Sequence, residues 1–436
     1  MKATNKENQE LESFLKGKSA LILTDSPTDK VAWKSLLNQI GVNLKEIHHV
    51  KAIDEATKFI ETKKVDIFFS SYRIKNEETF CVLKTYLDKY PDRSEHFCYY
   101  VSEKNSLTLS ALVAEMELDA LIIRPYNQND LIKTLKESML DAATMGKGLK
   151  NFYRILGDIR SNNLDKALKE AQDYIKNKES SANGYYLLGL VYKEKGDTKD
   201  AIEIWEQGLS KKNDHYQILC ALFDLLVENE KYIKAYRLSE KISAIYPVNP
   251  ERIPNIIRTC LATGNHETLI TFCETILELD EDLGKMTKPI AAALALCAKS
   301  MIQQEVNKEL AFKVSIRAMN LAELQSKIHL ACLENLFDLE KYDELKANLD
   351  KIPIDNMKID FEVLNLLVIE RTQPAEDAYI VAHKMYKSER LAPNLFRVLI
   401  RCAKKIGKPK VQLEDFAFEG GKSFSELKVE LNSLID

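Results

Sequence analysis

A spacing of 34 residues organises most of this chain and restricts what it can become. Residues 182–215 read as one helix, turn, helix hairpin: Tyr185, Leu188, Gly189 and Tyr192 form an i, i+3, i+4, i+7 stripe, Gly196-Asp197 breaks it, and Ala201, Trp205 and Gly208 form a second stripe. A step of 34 carries Tyr185 to Leu219 and Ile253, Gly196 to Glu230 and Gly264, and Ala201 to Ala235 and Leu269, and a step back reaches Ala167. The register holds over four units, 148–181, 182–215, 216–249 and 250–283. A single hairpin cannot bury its apolar face alone, so the period predicts hairpins stacked on one another.

Small residues at Gly189, Ala201 and Gly208 stand where two helices must cross closely, and Pro247 falls where the chain leaves one hairpin for the next. With this order of residues the unit 182–215 resembles the tetratricopeptide repeat, and the resemblance implies an all-α solenoid whose first helices line a concave groove. Other units depart from it: Phe223 replaces the small residue at Gly189, Leu269 the alanine, and Pro254 lies in an early helical turn. By register the inward positions are Phe152, Leu156, Tyr186, Leu190, Cys220, Asp224, Val227 and Arg258. Apolar anchors with a few charges suit a protein or peptide segment, so these eight are the expected partner-binding positions; the alternative is that the chain's own receiver-like domain or terminal helix fills the groove.

Before the repeats the pattern is different. Short apolar runs at 20–23, 46–50, 65–69, 96–101 and 120–123 alternate with amphipathic stretches starting at 28, 53, 78, 107 and 129. Strands alternating with helices predict an α/β flavodoxin-like domain, a five-stranded parallel sheet whose ligand crevice lies at the carboxyl ends of its strands. Those ends carry Thr24-Asp25-Ser26-Pro27, Ser70-Ser71-Tyr72-Arg73, Ser102 and Arg124-Pro125-Tyr126. The pattern resembles the receiver domain of bacterial response regulators. That family has two acids after the first strand, a phosphoaccepting aspartate ending the third, a Ser or Thr ending the fourth and Lys-Pro ending the fifth.

The match is partial. Asp25 stands for the second acid and Ser102 for the switch hydroxyl, but Thr24 replaces the first acid, Arg124 the lysine and Ser71 the phosphoacceptor. Aspartyl phosphorylation needs a carboxylate nucleophile and a Mg²⁺ held by several oxygens, so the resemblance implies a pseudo-receiver with the fold kept and the chemistry lost. Asp66 lies at the start of the third strand, the far end from the crevice. The domain then serves either as a docking module or as a cap on the first hairpin.

The expected organisation is a polar lead at 1–16, the receiver-like domain at 17–143, a linker at 144–147, four repeats at 148–283, and divergent helical repeats with a cap at 284–436. Glu340-Lys341-Tyr342 echoes Glu230-Lys231-Tyr232 at a distance of 110, eight more than three periods, which places a lengthened hairpin between 284 and 325. Gly420-Gly421 reads as a joint before a final helix at 424–434. Nine basic residues between Lys384 and Lys410, with Arg397, Arg401, Lys404 and Lys405 on one helix face, could meet an acidic partner or nucleic acid.

A formal net charge of -4 argues against a sequence-independent grip on nucleic acid. No apolar run approaches the roughly 18 residues of a membrane span and no secretory signal is present, so no membrane insertion and a cytoplasmic location are expected. Eight cysteines without a C-x-x-C pair read as reduced core thiols, and the adjacent His48-His49 cannot chelate one metal from a strand. No cofactor, metal or catalytic motif is expected. The functional reading is a non-enzymatic signalling adaptor or scaffold that works without phosphorylation. The alternatives are a response regulator with a noncanonical phospho-switch, or a nucleic-acid-binding regulator using the basic stretch.

Overall fold

The computed structural model describes residues 11–104, 107–176, 181–245, 249–279, 287–322, 326–349, 351 and 359–435. The chain divides into two compact units, residues 1–259 and 260–436. The first begins with a five-stranded parallel sheet made of β1 (Ala20–Leu23), β2 (Ile47–Val50), β3 (Ile67–Ser71), β6 (Phe97–Ser102) and β7 (Ala120–Ile123) in the order β2-β1-β3-β6-β7. This is a flavodoxin-like arrangement. Every residue of β1, β3 and β6 is buried, as central strands covered on both faces must be.

Side chains alternate between two cores. Ile22, Phe69 and Tyr99 pack under α1 (Pro27–Gln39) and α5 (Gln128–Ala143), joined there by Trp33, Leu135 and Met139. Leu21, Leu23, Phe68 and Tyr100 face α2 (Ile53–Thr62), α3 (Phe80–Lys89) and α4 (Leu107–Glu115). Helix α1 starts where the sequence says it should: Ser26 accepts the Asp29 N–H at 3.2 Å and Pro27 occupies the first turn. The polar lead ends in a short helix, as expected, but is anchored by apolar residues. Residues 11–15 are helical, and Leu11 and Leu15 are buried in the first core, so two leucines anchor a stretch that reads as polar; residues 1–10 lie outside the described part.

A second difference follows β3. The expected helix from 78 is preceded by a hairpin, β4 (Arg73–Ile74) paired with β5 (Glu77–Glu78), whose turn residues Lys75 and Asn76 have φ of 48° and 69°. Two successive positive φ values make the tight turn that joins such short strands.

The repeats follow as α6 (Lys147–Arg160), α7 (Leu164–Ile175), α8 (Ser181–Lys195), α9 (Thr198–Lys211), α10 (Tyr216–Glu228), α11 (Tyr232–Ile245) and α12 (Ile253–Thr263). Their period is visible in the backbone itself. Asn162, Gly196, Glu230 and Gly264, 34 residues apart, all have φ between 56° and 84° and end the first helix of a hairpin. Ala167, Ala201, Ala235 and Leu269, in the same register, are fully buried. A Cβ on Gly189 would fall 2.1 Å from the Trp205 indole, and one on Gly208 2.6 Å from Ile218, so both glycines are required by close crossing. Phe223 is also fully buried, and Pro254 sits in the first turn of α12, where its missing N–H has no helical partner to lose. Pro247 lies outside the described residues.

The second unit continues with helical pairs. Helices α13 (His266–Leu279), α14 (Thr287–Gln303), α15 (Lys308–Leu321), α16 (Ser326–Asp338), α17 (Tyr342–Leu349), α18 (Ile359–Thr372), α19 (Ala375–Lys387), α20 (Pro393–Lys405), α21 (Lys410–Ser423) and α22 (Lys428–Ser433) make it all-α. The 17-residue α14, the longest described helix of this unit, lies in the span where a lengthened hairpin is expected. The Gly420-Gly421 joint is not there: α21 runs through both glycines, because a Cβ on Gly420 would lie 2.5 Å from Leu431 and 2.9 Å from Phe396. Close packing, and not a bend, is what selects that glycine. The single helix expected at 424–434 is instead a 3-10 turn, Ser425–Leu427, followed by α22.

Candidate functional site

At the carboxyl ends of the strands, three of the five expected residues meet. The Arg124 Nη2 donates to Ser71 Oγ at 3.3 Å, and Ser71 Oγ donates to Thr24 Oγ1 at 3.1 Å. Thr24 and Ser71 are buried because they close the two central strands β1 and β3. The other two turn elsewhere. Asp25 is exposed and accepts the Lys75 N–H of the β4–β5 turn at 3.2 Å, while Ser102 Oγ donates to the Lys104 carbonyl at 2.8 Å.

Sequence reading missed the residue that completes this end. Asp29, in the first turn of α1, forms an ion pair with Arg124 and accepts from the Tyr126 hydroxyl at 3.4 Å. Trp33 Nε1 in turn donates to that hydroxyl at 2.6 Å. The signal was ordinary, since an acid in a helix's first turn is favoured by the helix dipole alone. His49 belongs to the same end, with Nε2 3.0 Å from the Thr24 carbonyl, and burial lowers its pKa below the usual histidine value. Arg124 therefore already has its carboxylate, and the hydroxyls of Thr24 and Ser71 already have each other. Among the described residues no group of three or more His, Cys, Asp and Glu side chains is placed to hold a metal.

The amino ends of the same strands are tied differently. Asp66 Oδ2 accepts the Ser19 N–H at 2.8 Å; burial pushes its carboxyl up, but that bond and the Lys64 ammonium outweigh burial and hold it below the ordinary range. Arg93 and Asp119 form a buried ion pair, and Asp119 also accepts the Cys98 N–H at 2.6 Å. From here contacts run out to the repeats. Arg160 Nη1 donates to the Leu87 carbonyl at 2.5 Å, and Gln217 Nε2 and the Tyr153 hydroxyl donate to Glu117 at 2.8 and 3.3 Å. Arg252 grips both Glu115 oxygens at 2.7 and 2.8 Å and both Asp224 oxygens at 2.8 and 3.1 Å.

The expected partner-binding positions meet this arrangement directly. Phe152, Leu156 and Tyr186 line a cleft of about 200 Å³ opposite Met116 and Arg93 of the α/β domain. Phe152 and Tyr186 stack with ring centroids 6.3 Å apart. Cys220 is buried and Asp224 is held by Arg252; Val227 is buried, Leu190 half-buried and Arg258 exposed. The inward face of the first hairpins is thus covered by the chain's own N-terminal domain.

Two arginines of the basic stretch in the second unit are also engaged, while its lysines are exposed. Arg397 pairs with both oxygens of Glu430 at 2.8 Å, and Arg401 with both of Glu370 at 2.8 Å. Bidentate pairs of this kind fix a guanidinium in place and neutralise it.

No protein-family model matches the chain, and no curated protein does. A solved structure from Pseudomonas aeruginosa, described as the functional characterization of pilF, matches at 13% identity, covering 56% of this chain and 93% of that one with a TM-score of 0.21. That score carries no argument, so the solenoid rests on the hairpins themselves. No helix among the described residues is long and apolar enough to cross a membrane.

Proposed function

We propose that this chain is a non-enzymatic, cytoplasmic signalling adaptor in which a pseudo-receiver domain and a tetratricopeptide-type solenoid present protein-binding surfaces without a phosphorylation step. The observation that carries this reading is the closure of the carboxyl end on itself, with Arg124 paired to Asp29 and Ser71 bonded to Thr24. A phosphoacceptor site needs a free carboxylate there and oxygens left over for Mg²⁺. The solenoid supports partner binding because stacked hairpins are surfaces before they are anything else. All eight cysteines are free, which fits a reducing compartment. Burial pushes Cys220 and Cys332 up to about 12, far from a usable nucleophile. Pairing of Arg397 and Arg401 with glutamates leaves that helix face fewer free cations for a nucleic acid.

Beryllofluoride with Mg²⁺, which mimics an aspartyl phosphate, should leave the melting temperature unchanged. A ligand at 100 times its dissociation constant would add about 2.7 kcal/mol of stability. A Mg²⁺-dependent rise in melting temperature would refute the phosphorylation-independent reading.

A further inference from the structure

Glu115, Met116 and Glu117 are a poor local choice for the place they occupy. Glu115 ends α4, where the helix dipole disfavours an acid, and Glu117 follows with φ of 52°, a left-handed conformation that favours glycine or asparagine. Glutamates at other helix ends of this chain, Glu230 and Glu340 among them, take the same conformation, so what sets 115–117 apart is the role their side chains have outside the domain. Here that role is visible. Glu115 is held by the buried Arg252 guanidinium, Met116 lines the cleft with Phe152 and Tyr186, and Glu117 accepts from Gln217 and Tyr153.

We propose that the solenoid groove is a receptor for an acidic segment of the form glutamate, apolar residue, glutamate, and that the chain's own 115–117 turn occupies it in cis as a stand-in for a partner. The proposal rests on the reading of the solenoid as a protein-binding surface and names the chemistry that surface takes. Arg252 supplies a fork that matches one carboxylate, Gln217 and Tyr153 supply neutral donors for the second, and the aromatic pair between them takes the apolar side chain. A partner carrying the same three side chains displaces the turn and frees the α/β domain from the repeats.

The test uses the whole 436-residue chain and a fluorescent synthetic peptide with the sequence of residues 108–119. In the Glu115→Ala/Glu117→Ala double variant the groove is vacated, and the peptide should bind at least tenfold more tightly than it binds the unaltered chain. Adding Arg252→Ala should remove that gain. A peptide with both glutamates changed to glutamine should bind at least tenfold more weakly, an arm that holds even where the Arg252 variant fails to fold. Equal binding of the peptide by the unaltered chain and the double variant, no binding by either, or equal binding of the glutamine peptide would each overturn the proposal. None of these outcomes touches the phosphorylation-independent reading, which stands or falls on the beryllofluoride experiment.

Discussion

At the carboxyl ends of the sheet Arg124 finds its partners, Asp29 and Ser71, inside its own domain, whereas at the amino ends Glu115 and Glu117 reach past theirs to Arg252, Gln217 and Tyr153. The same five strands position both sets. Parallel strands put the loops after α3 and α4 at the end opposite the crevice, so the domain meets the repeats with one end and leaves Asp25, Lys75, Glu103 and Lys104 exposed at the other. At the carboxyl end the Thr24 and Ser71 hydroxyls and the Asp29 carboxylate are taken up within the domain, while the buried Arg124 Nε keeps no hydrogen-bond partner. The end whose groups look outward is the one tied to the repeats.

The largest difference between the ends should appear on removing their arginines. Arg252 is 7% exposed and carries two carboxylates, so Arg252→Ala leaves Glu115 and Asp224 facing each other and should lower stability by about 3–5 kcal/mol. Arg124 is 25% exposed, and Arg124→Ala should cost about 1–2 kcal/mol. Urea denaturation of both variants gives the comparison directly. Equal losses would mean that the two ends are held alike.

Acidification should produce a smaller effect that does not distinguish the ends. Burial lowers the pKa of His49 at the carboxyl end and of His96 at the amino end, where Asp66 lies 3.9 Å away. Both folded-state values fall below the unfolded value of about 6.5, so the unfolded chain binds more protons as pH drops. Their stabilising contribution is whole above about pH 6.5 and is lost as pH falls through the folded values. Melting temperature should therefore decline from pH 7 to pH 5, and His49→Gln and His96→Gln should each flatten part of that decline. A curve unaltered by either change would show that the acid loss arises elsewhere.

Much of this architecture was legible because it is periodic. Ala167, Ala201 and Ala235 repeat at 34 residues, and each is fully buried; alternating apolar runs placed Ala20–Leu23 and Ala120–Ile123 at their observed bounds. What failed was local signal with two physical meanings. Gly420 reads as a joint, yet it is a helical glycine admitted by Phe396 and Leu431. Lys75-Asn76 lies between the expected strand and the expected helix from 78 with no glycine to mark a turn, yet both residues turn a hairpin that hands its N–H to Asp25. The candidate sites were the least legible part. Register identifies which face of a hairpin points inward, but not that Glu115, more than one hundred positions earlier, returns to fill it. Asp29 was hidden as a first-turn acid because the dipole explains it without Arg124.

Hydrogen exchange on the whole 436-residue chain tests the contrast between the two ends most directly. In the Glu115→Ala/Glu117→Ala variant, amides in residues 84–93 and 152–160 should exchange faster, while those in 20–25, 67–72 and 120–126 keep their protection, because among the described residues the ties to the repeats lie at the amino end. Unchanged exchange at 84–93 and 152–160, or loss of protection spreading to 67–72 and 120–126, would contradict it.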